Sequence, residues 1–215
     1  MGAARKEERQ YKGKQRGWMA ARDATLMLLA YYGFLRGSEV ARMRREEVTV
    51  RQGEGGGEVL QVKVDRMAKN DAKRKGHERL IGRQEGEDAS MCVTGAMTGW
   101  LGQRRPGADR GERGEDPLFP TTKGDAMSAA TPRWKLTHWL RQSGVKDTKE
   151  YGFHSLRAGA VTAAAKRGVS EEHLKLHGNW KSDAVRLYIR PDEGDRLQAS
   201  AALGAGSGGA GTGGI

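Results

Sequence analysis

Two segments of the chain hold residue types that can handle a phosphate ester. In Tyr32-Gly33-Phe34-Leu35-Arg36-Gly37-Ser38-Glu39-Val40 an arginine follows an apolar stretch, just before a new helix start. In His154-Ser155-Leu156-Arg157 a histidine and an arginine stand three residues apart, which puts both on one face of a helical turn. Downstream, Gly178-Asn179-Trp180 precedes Tyr188, which lies between Leu187 and Ile189. A guanidinium is a permanently charged planar fork for phosphate oxygens, an imidazole moves protons near neutral pH, and a tyrosine oxygen can attack phosphorus. Each residue taken singly has a plainer role. Arg36 can pair with Glu39 or Glu46, His154 can be a satisfied structural histidine, and Lys69 can belong to a solvated hairpin tip. Trp180 can be a core anchor and Tyr188 a half-buried packing residue. It is their joint occurrence that calls for chemistry.

Composition narrows the partners. The chain has 215 residues, with 38 Lys+Arg against 27 Asp+Glu, for a net charge of +11. Such a surplus favours a polyanion, because each neutralised phosphate releases condensed counterions. Cys92 is the only cysteine, so neither an intrachain disulfide nor a cysteine-based zinc site can form. The Gly-rich runs lack phosphate-loop spacing, and no acidic cluster suggests a metal nuclease. No apolar run approaches the ~18 residues of a membrane span. No metal, small-molecule cofactor or membrane is expected, and an intracellular location fits.

The elements that must position these residues follow from periodicity. Leu26, Leu29, Ala30 and Tyr31 predict an amphipathic helix over residues 20–34, and a short helix is expected over 38–44 with Ser38 as its cap. Alternating β-branched residues predict strands at 48–50 and 59–64 around a Gly-rich turn at 53–57, with a third strand at 78–81. Between the last two strands lies a basic hairpin tip, residues 66–76, carrying Lys69, Lys73, Arg74 and Lys75. Residues 102–116 read as a loop. Helices are expected over 132–144, where Trp134, Leu136, Trp139 and Leu140 supply apolar contacts, and over 155–167, 170–177 and from Ser182 to just before Pro191. The resulting expectation is a mainly α fold with a small antiparallel sheet (α+β). Residues 1–17 are expected to form a flexible basic arm, 18–191 the catalytic domain, and 192–215 a tail that is Gly/Ala-rich and disordered towards its end.

With these features in order, the chain resembles the tyrosine recombinase (phage integrase) family, and within it the recombinases of DIRS-like retrotransposons. The match runs from about Met19 to Pro191. Arg36 stands where the family has its first arginine, in a Gly-Leu-Arg-x-Ser-Glu-like motif. Lys69, in Lys69-Asn70-Asp71, stands where it has the hairpin lysine. His154 and Arg157 form the His-x-x-Arg box, Gly178-Asn179-Trp180 resembles a Gly-Arg-Trp motif, and Tyr188 takes the nucleophile's place. The wider family has a His or Trp nine residues before the tyrosine, where this chain has Asn179. Trp180 is favoured for that supporting role, with Asn179 and His177 as alternatives. Tyr151 fits no family position.

The resemblance implies metal-independent cleavage and rejoining of double-stranded DNA, in recombination or integration of a mobile element, through a 3′-phosphotyrosyl intermediate. Arg36 and Arg157 would grip the nonbridging oxygens, Lys69 would protonate the departing 5′ oxygen, and His154 would bind the phosphate or assist deprotonation of Tyr188. It also implies a homo-tetramer in a synaptic complex and, by likeness to eukaryotic elements, the nucleus. A type IB topoisomerase and a decayed fragment that binds DNA without cutting it are the competing readings. Family members usually carry an N-terminal helical domain that clamps the DNA, so this chain alone is expected to bind weakly and with little selectivity.

Overall fold

The computed structural model describes residues 2–64, 76–109, 111–191 and 193–197. Six α-helices and a three-stranded sheet organise this part of the chain: α1 (Gly2–Tyr32), α2 (Gly37–Arg42), β1 (Val48–Gln52), β2 (Glu58–Val64), β3 (His77–Gly82), α3 (Val93–Leu101), α4 (Thr131–Gln142), α5 (His154–Lys166) and α6 (Glu171–Gly178). A 3-10 helix, Asp183–Tyr188, follows α6. The fold is therefore mainly helical with a small antiparallel sheet, as the periodicities imply. The strands run in the order β1-β2-β3, with Val48 opposite Val62 and Val62 opposite Arg79. The Gly-rich turn closes the first hairpin, where Gly53 N–H donates to the Gly57 carbonyl at 2.8 Å. Lys69 and the rest of the basic hairpin tip, apart from Gly76, lie outside the described residues, as does the Gly/Ala-rich end of the tail.

Three expectations change. The first helix reaches back to Gly2, so residues 2–17 continue α1 instead of forming a separate arm. Ala, Arg, Lys, Glu and Gln there are strong helix formers. Trp18 then anchors the middle of α1, tilted against Trp100 at 5.2 Å with the Arg22 guanidinium 5.1 Å from its ring. The cap of α2 is Arg36 and not Ser38, because Glu39 reaches back to the Arg36 N–H at 2.6 Å. On α4, Leu136 is buried, but Trp134 and Trp139 are 65% and 38% exposed. Trp134 stacks on His138 at the surface instead of entering the core.

Two apolar clusters hold the fold. The larger joins α1, α2, the inner face of the sheet, α3 and α4 through Leu26, Leu29, Val40, Leu60, Met97 and Leu136. A buried ionic tie sits beside it: the Asp23 carboxylate meets Arg22 at 2.9 Å and Lys135 of α4 at 2.8 Å. The smaller cluster comprises Phe34, Ala160, Val161, Leu174 and Val185, with Trp180, Tyr188 and Ile189 packed on it. It forms the floor beneath the residues singled out in the sequence.

Candidate active site

The site is assembled by the end of α1, the start of α5 and the stretch from α6 to Tyr188. After Tyr32 the chain turns sharply. A Cβ on Gly33 would lie 2.7 Å from the Leu29 carbonyl oxygen, so only glycine fits there. Phe34 takes φ +50, a left-handed conformation that costs a bulky residue roughly 1–2 kcal/mol. Its ring is 5% exposed and rests edge-on against His177 at 4.7 Å. Burial of the ring offsets the backbone strain. The turn then delivers Arg36 at the start of α2, where its Nη1 pairs with Glu39 at 3.0 Å while 43% of its side chain stays exposed. The surface ion pair considered from sequence exists, and it leaves the guanidinium open to a ligand.

Arg157 on α5 is 1% exposed. It donates to the Phe34 carbonyl and, at 3.3 Å, to the Gly178 carbonyl, so it ties the Arg36 turn to the end of α6. Its guanidinium lies 4.1 Å from the Trp180 ring centroid and 5.3 Å from that of Tyr188, and its Nε is buried with no hydrogen-bond partner among the described residues. Burial pulls its pKa down, as does the Arg36 charge, while the Tyr188 oxygen acts in the opposite sense. A site that crowds guanidinium groups in this way is poised for an anion.

Tyr188 ends the 3-10 helix that Ser182 caps. Its ring is half-buried between His154, 5.0 Å away, and Trp180, 5.1 Å away. Burial lowers the His154 pKa, and so do the charges of Arg157, Arg36 and Arg190, so its imidazole is neutral at pH 7 and able to accept a proton. Of the three residues considered for the supporting position, Trp180 touches both Tyr188 and Arg157. Asn179 is the exposed C-cap of α6 at φ +53. His177 donates from Nε2 to the Tyr32 carbonyl at 2.8 Å. Tyr151 is 43% exposed and lines a different groove, with Leu136, Leu140 and Leu156.

The structure thus brings Arg36, His154, Arg157, Trp180 and Tyr188 to one locality, while Lys69 lies outside the described residues. It adds a residue that the sequence reading missed. Arg79 of β3 is 2% exposed, donates to the Gly33 carbonyl, and lies 3.1 Å through Nη2 from His77 Nε2. The signal was available in the alternation of β3, which places Arg79 on the inward face with Ile81. Among the described residues no group of three or more His, Cys, Asp or Glu could hold a metal ion, and no helix is long and apolar enough to cross a membrane.

Comparison with known proteins places this geometry in a family. The family model described as "Phage integrase family" matches residues 8–194. No curated protein matches the chain. Among solved structures, the chain is similar to the XerH site-specific recombinase bound to its difH substrate, at 18% identity and a TM-score of 0.59 over 86% of this chain and 48% of that one. The XerA recombinase gives 14% identity and a TM-score of 0.59 over 89% and 62%. A lambda integrase dimer on a core site gives 18% and 0.50 over 82% and 53%. The chain spans about half the length of XerH, and at these identities the likeness speaks for the fold. With the family model covering most of its length, the chain belongs to the phage integrase family.

Proposed function

We propose that this chain cuts and rejoins duplex DNA with Tyr188 as its nucleophile. The observation that carries the reading is the placement of the Tyr188 ring between His154 and Trp180, beside the guanidinium of Arg157. In the proposed step the Tyr188 oxygen attacks phosphorus and its proton passes to His154 or to water. The bond from phosphorus to the 5′ oxygen breaks, leaving a 3′-phosphotyrosine and a 5′ hydroxyl that takes its proton from Lys69. Arg36 and Arg157 meet the charge that develops on the nonbridging oxygens, the part a metal plays in other phosphoryl-transfer sites. Rejoining is the reverse, with the phosphotyrosine retaining the bond energy.

Duplex DNA as partner is supported by the net charge of +11 and by the recombinases of this fold that were solved on DNA. Exchange between two duplexes in a tetramer, service to a DIRS-like mobile element and residence in the nucleus extend the same proposal. They rest on the motif resemblance alone.

A nicked duplex with a 5′-bridging phosphorothiolate tests the chemistry, because the sulfur leaving group cannot re-attack efficiently and the covalent complex accumulates. A protein–DNA adduct is expected for the native chain and none for Tyr188→Phe, with DNA binding retained by both. Binding without adduct by the native chain would leave a DNA-binding fragment. Relaxation of supercoils without exchange between duplexes would favour the topoisomerase reading.

A further inference from the structure

The turn that presents Arg36 is held from three directions. Its three successive carbonyls each accept a hydrogen bond from a different element: that of Tyr32 from His177 of α6, that of Gly33 from Arg79 of β3, and that of Phe34 from Arg157 of α5. Carbonyls at a helix C-terminus lack intrahelical partners, and here nitrogen-bearing side chains take that place. Two of the donors are drawn fully inside, Arg79 and Arg157 at 2% and 1% exposure, and His177 is half-buried.

Arg79 is an expensive way to fill its position. It sits opposite Val62 on the inward face of the sheet, where an apolar side chain would pack without desolvating a charge. Burial pushes its pKa down to about 9, still high enough to keep it charged at pH 7. His77 accepts from its Nε and Nη2 at 3.3 and 3.1 Å, which requires a neutral imidazole with Nε2 unprotonated. Burial and the charge of Arg79 hold the His77 pKa down at about 4, consistent with that state. What arginine supplies that valine or leucine could not is a long donor, fixed in direction by His77 and aimed at the strained turn. Phe34 at φ +50 is the residue such a clamp would hold in place.

We propose that Arg79 and His177 are positioning residues for strand cleavage, fixing the 32–34 turn so that Arg36 and Arg157 face one phosphate. The proposal rests on the function proposed above, since it is cleavage that the positioning serves. His177 accordingly acts through the backbone of α1 and not as the supporting group beside the tyrosine.

The test is a double-mutant cycle on the rate of covalent complex formation at saturating phosphorothiolate duplex. Arg79→Met is expected to slow this step by roughly 10- to 100-fold, the scale of a misplaced reacting group, while DNA affinity changes little. Arg79→Lys should recover part of the rate. Combined with Arg36→Ala, Arg79→Met should add almost nothing, because both act on one guanidinium. A native rate in Arg79→Met, or a defect that multiplies fully with that of Arg36→Ala, overturns the proposal. If Arg79→Met loses its cooperative melt, His177→Phe, which keeps a ring against Phe34, takes its place under the same criteria. If the native chain forms no adduct, the proposed function fails. The clamp is then judged by hydrogen exchange in the segment 33–40, where faster exchange in the variant supports it and unchanged exchange overturns it.

Discussion

Gly178 and Trp180 occupy one another's space: a Cβ on Gly178 would stand 1.7 Å from Cζ3 of the Trp180 indole. The indole lies across the bare glycine backbone and from there reaches Arg157 and Tyr188. Gly178→Ala must therefore displace the ring. Overpacking of this kind costs about 1–3 kcal/mol, which a denaturant titration would register. Adduct formation should fall more than stability does, and Trp180→Phe should retain more of it than Trp180→Ala. An active Gly178→Ala would separate the indole from the chemistry.

Asn179 should prove to be a matter of backbone conformation. It caps α6 at φ +53 and its side chain is exposed. Asn179→Gly is expected to leave both stability and adduct formation close to native, because glycine enters the left-handed region freely. Asn179→Ala should lose about 1 kcal/mol on thermal melting through the strained dihedral alone. A large cleavage defect in Asn179→Gly would restore a direct role for the amide.

The tie between α1 and α4 predicts a stability effect remote from the chemistry. Asp23 is 5% exposed and pairs through its two carboxylate oxygens with Arg22 and Lys135. Asp23→Asn leaves a buried ammonium uncompensated, a loss of about 3–5 kcal/mol measurable as a lower unfolding midpoint. Asp23→Asn with Lys135→Met should recover a large part of that loss.

The histidines of the site make stability depend on acidity in a defined direction. The pKa of His77 drops from 6.5 to about 4 on folding, while those of His154 and His177 are lowered chiefly by burial. The unfolded chain then binds more protons than the folded one between these values. Stability is therefore full above pH 6.5 and is lost as the pH falls towards 4. Unfolding midpoints measured across that window should show the decline. His77→Gln, which keeps an acceptor for Arg79 but cannot titrate, should flatten it.

How much of this was legible in the sequence depended on whether a residue's role was local. The three strands were visible because β-branched alternation is a short-range signal, and the His154–Arg157 pair because helical spacing is one. The length of α1 was hidden: Tyr11 sits in a polar stretch, and its neighbour Gly107 is remote in the chain. Helix α3 was hidden although Val93, Met97 and Trp100 have helical spacing, because Gly95 and Gly99 dilute the pattern. Trp134 and Trp139, expected with Leu136 to supply apolar contacts, stay largely or partly exposed because hydrophobic type does not say which side of a helix faces inward. Arg79 escaped because its partners, the Gly33 carbonyl and His77, come together only when β3 meets the end of α1.

Thr162 carries a last consequence. Its hydroxyl donates to the Tyr188 carbonyl at 2.8 Å and accepts from the Arg190 N–H at 3.1 Å, so one α5 side chain grips the main chain on both sides of Ile189. Tyr188 is thereby moored to the same helix that bears Arg157. Under the proposed chemistry each polypeptide would cut with its own tyrosine and borrow none from a neighbour. Mixing Arg36→Ala with Tyr188→Phe would then yield two idle populations. Self-sufficiency of this sort lets an assembly choose which member acts by controlling access to DNA, with no need to trade parts between subunits.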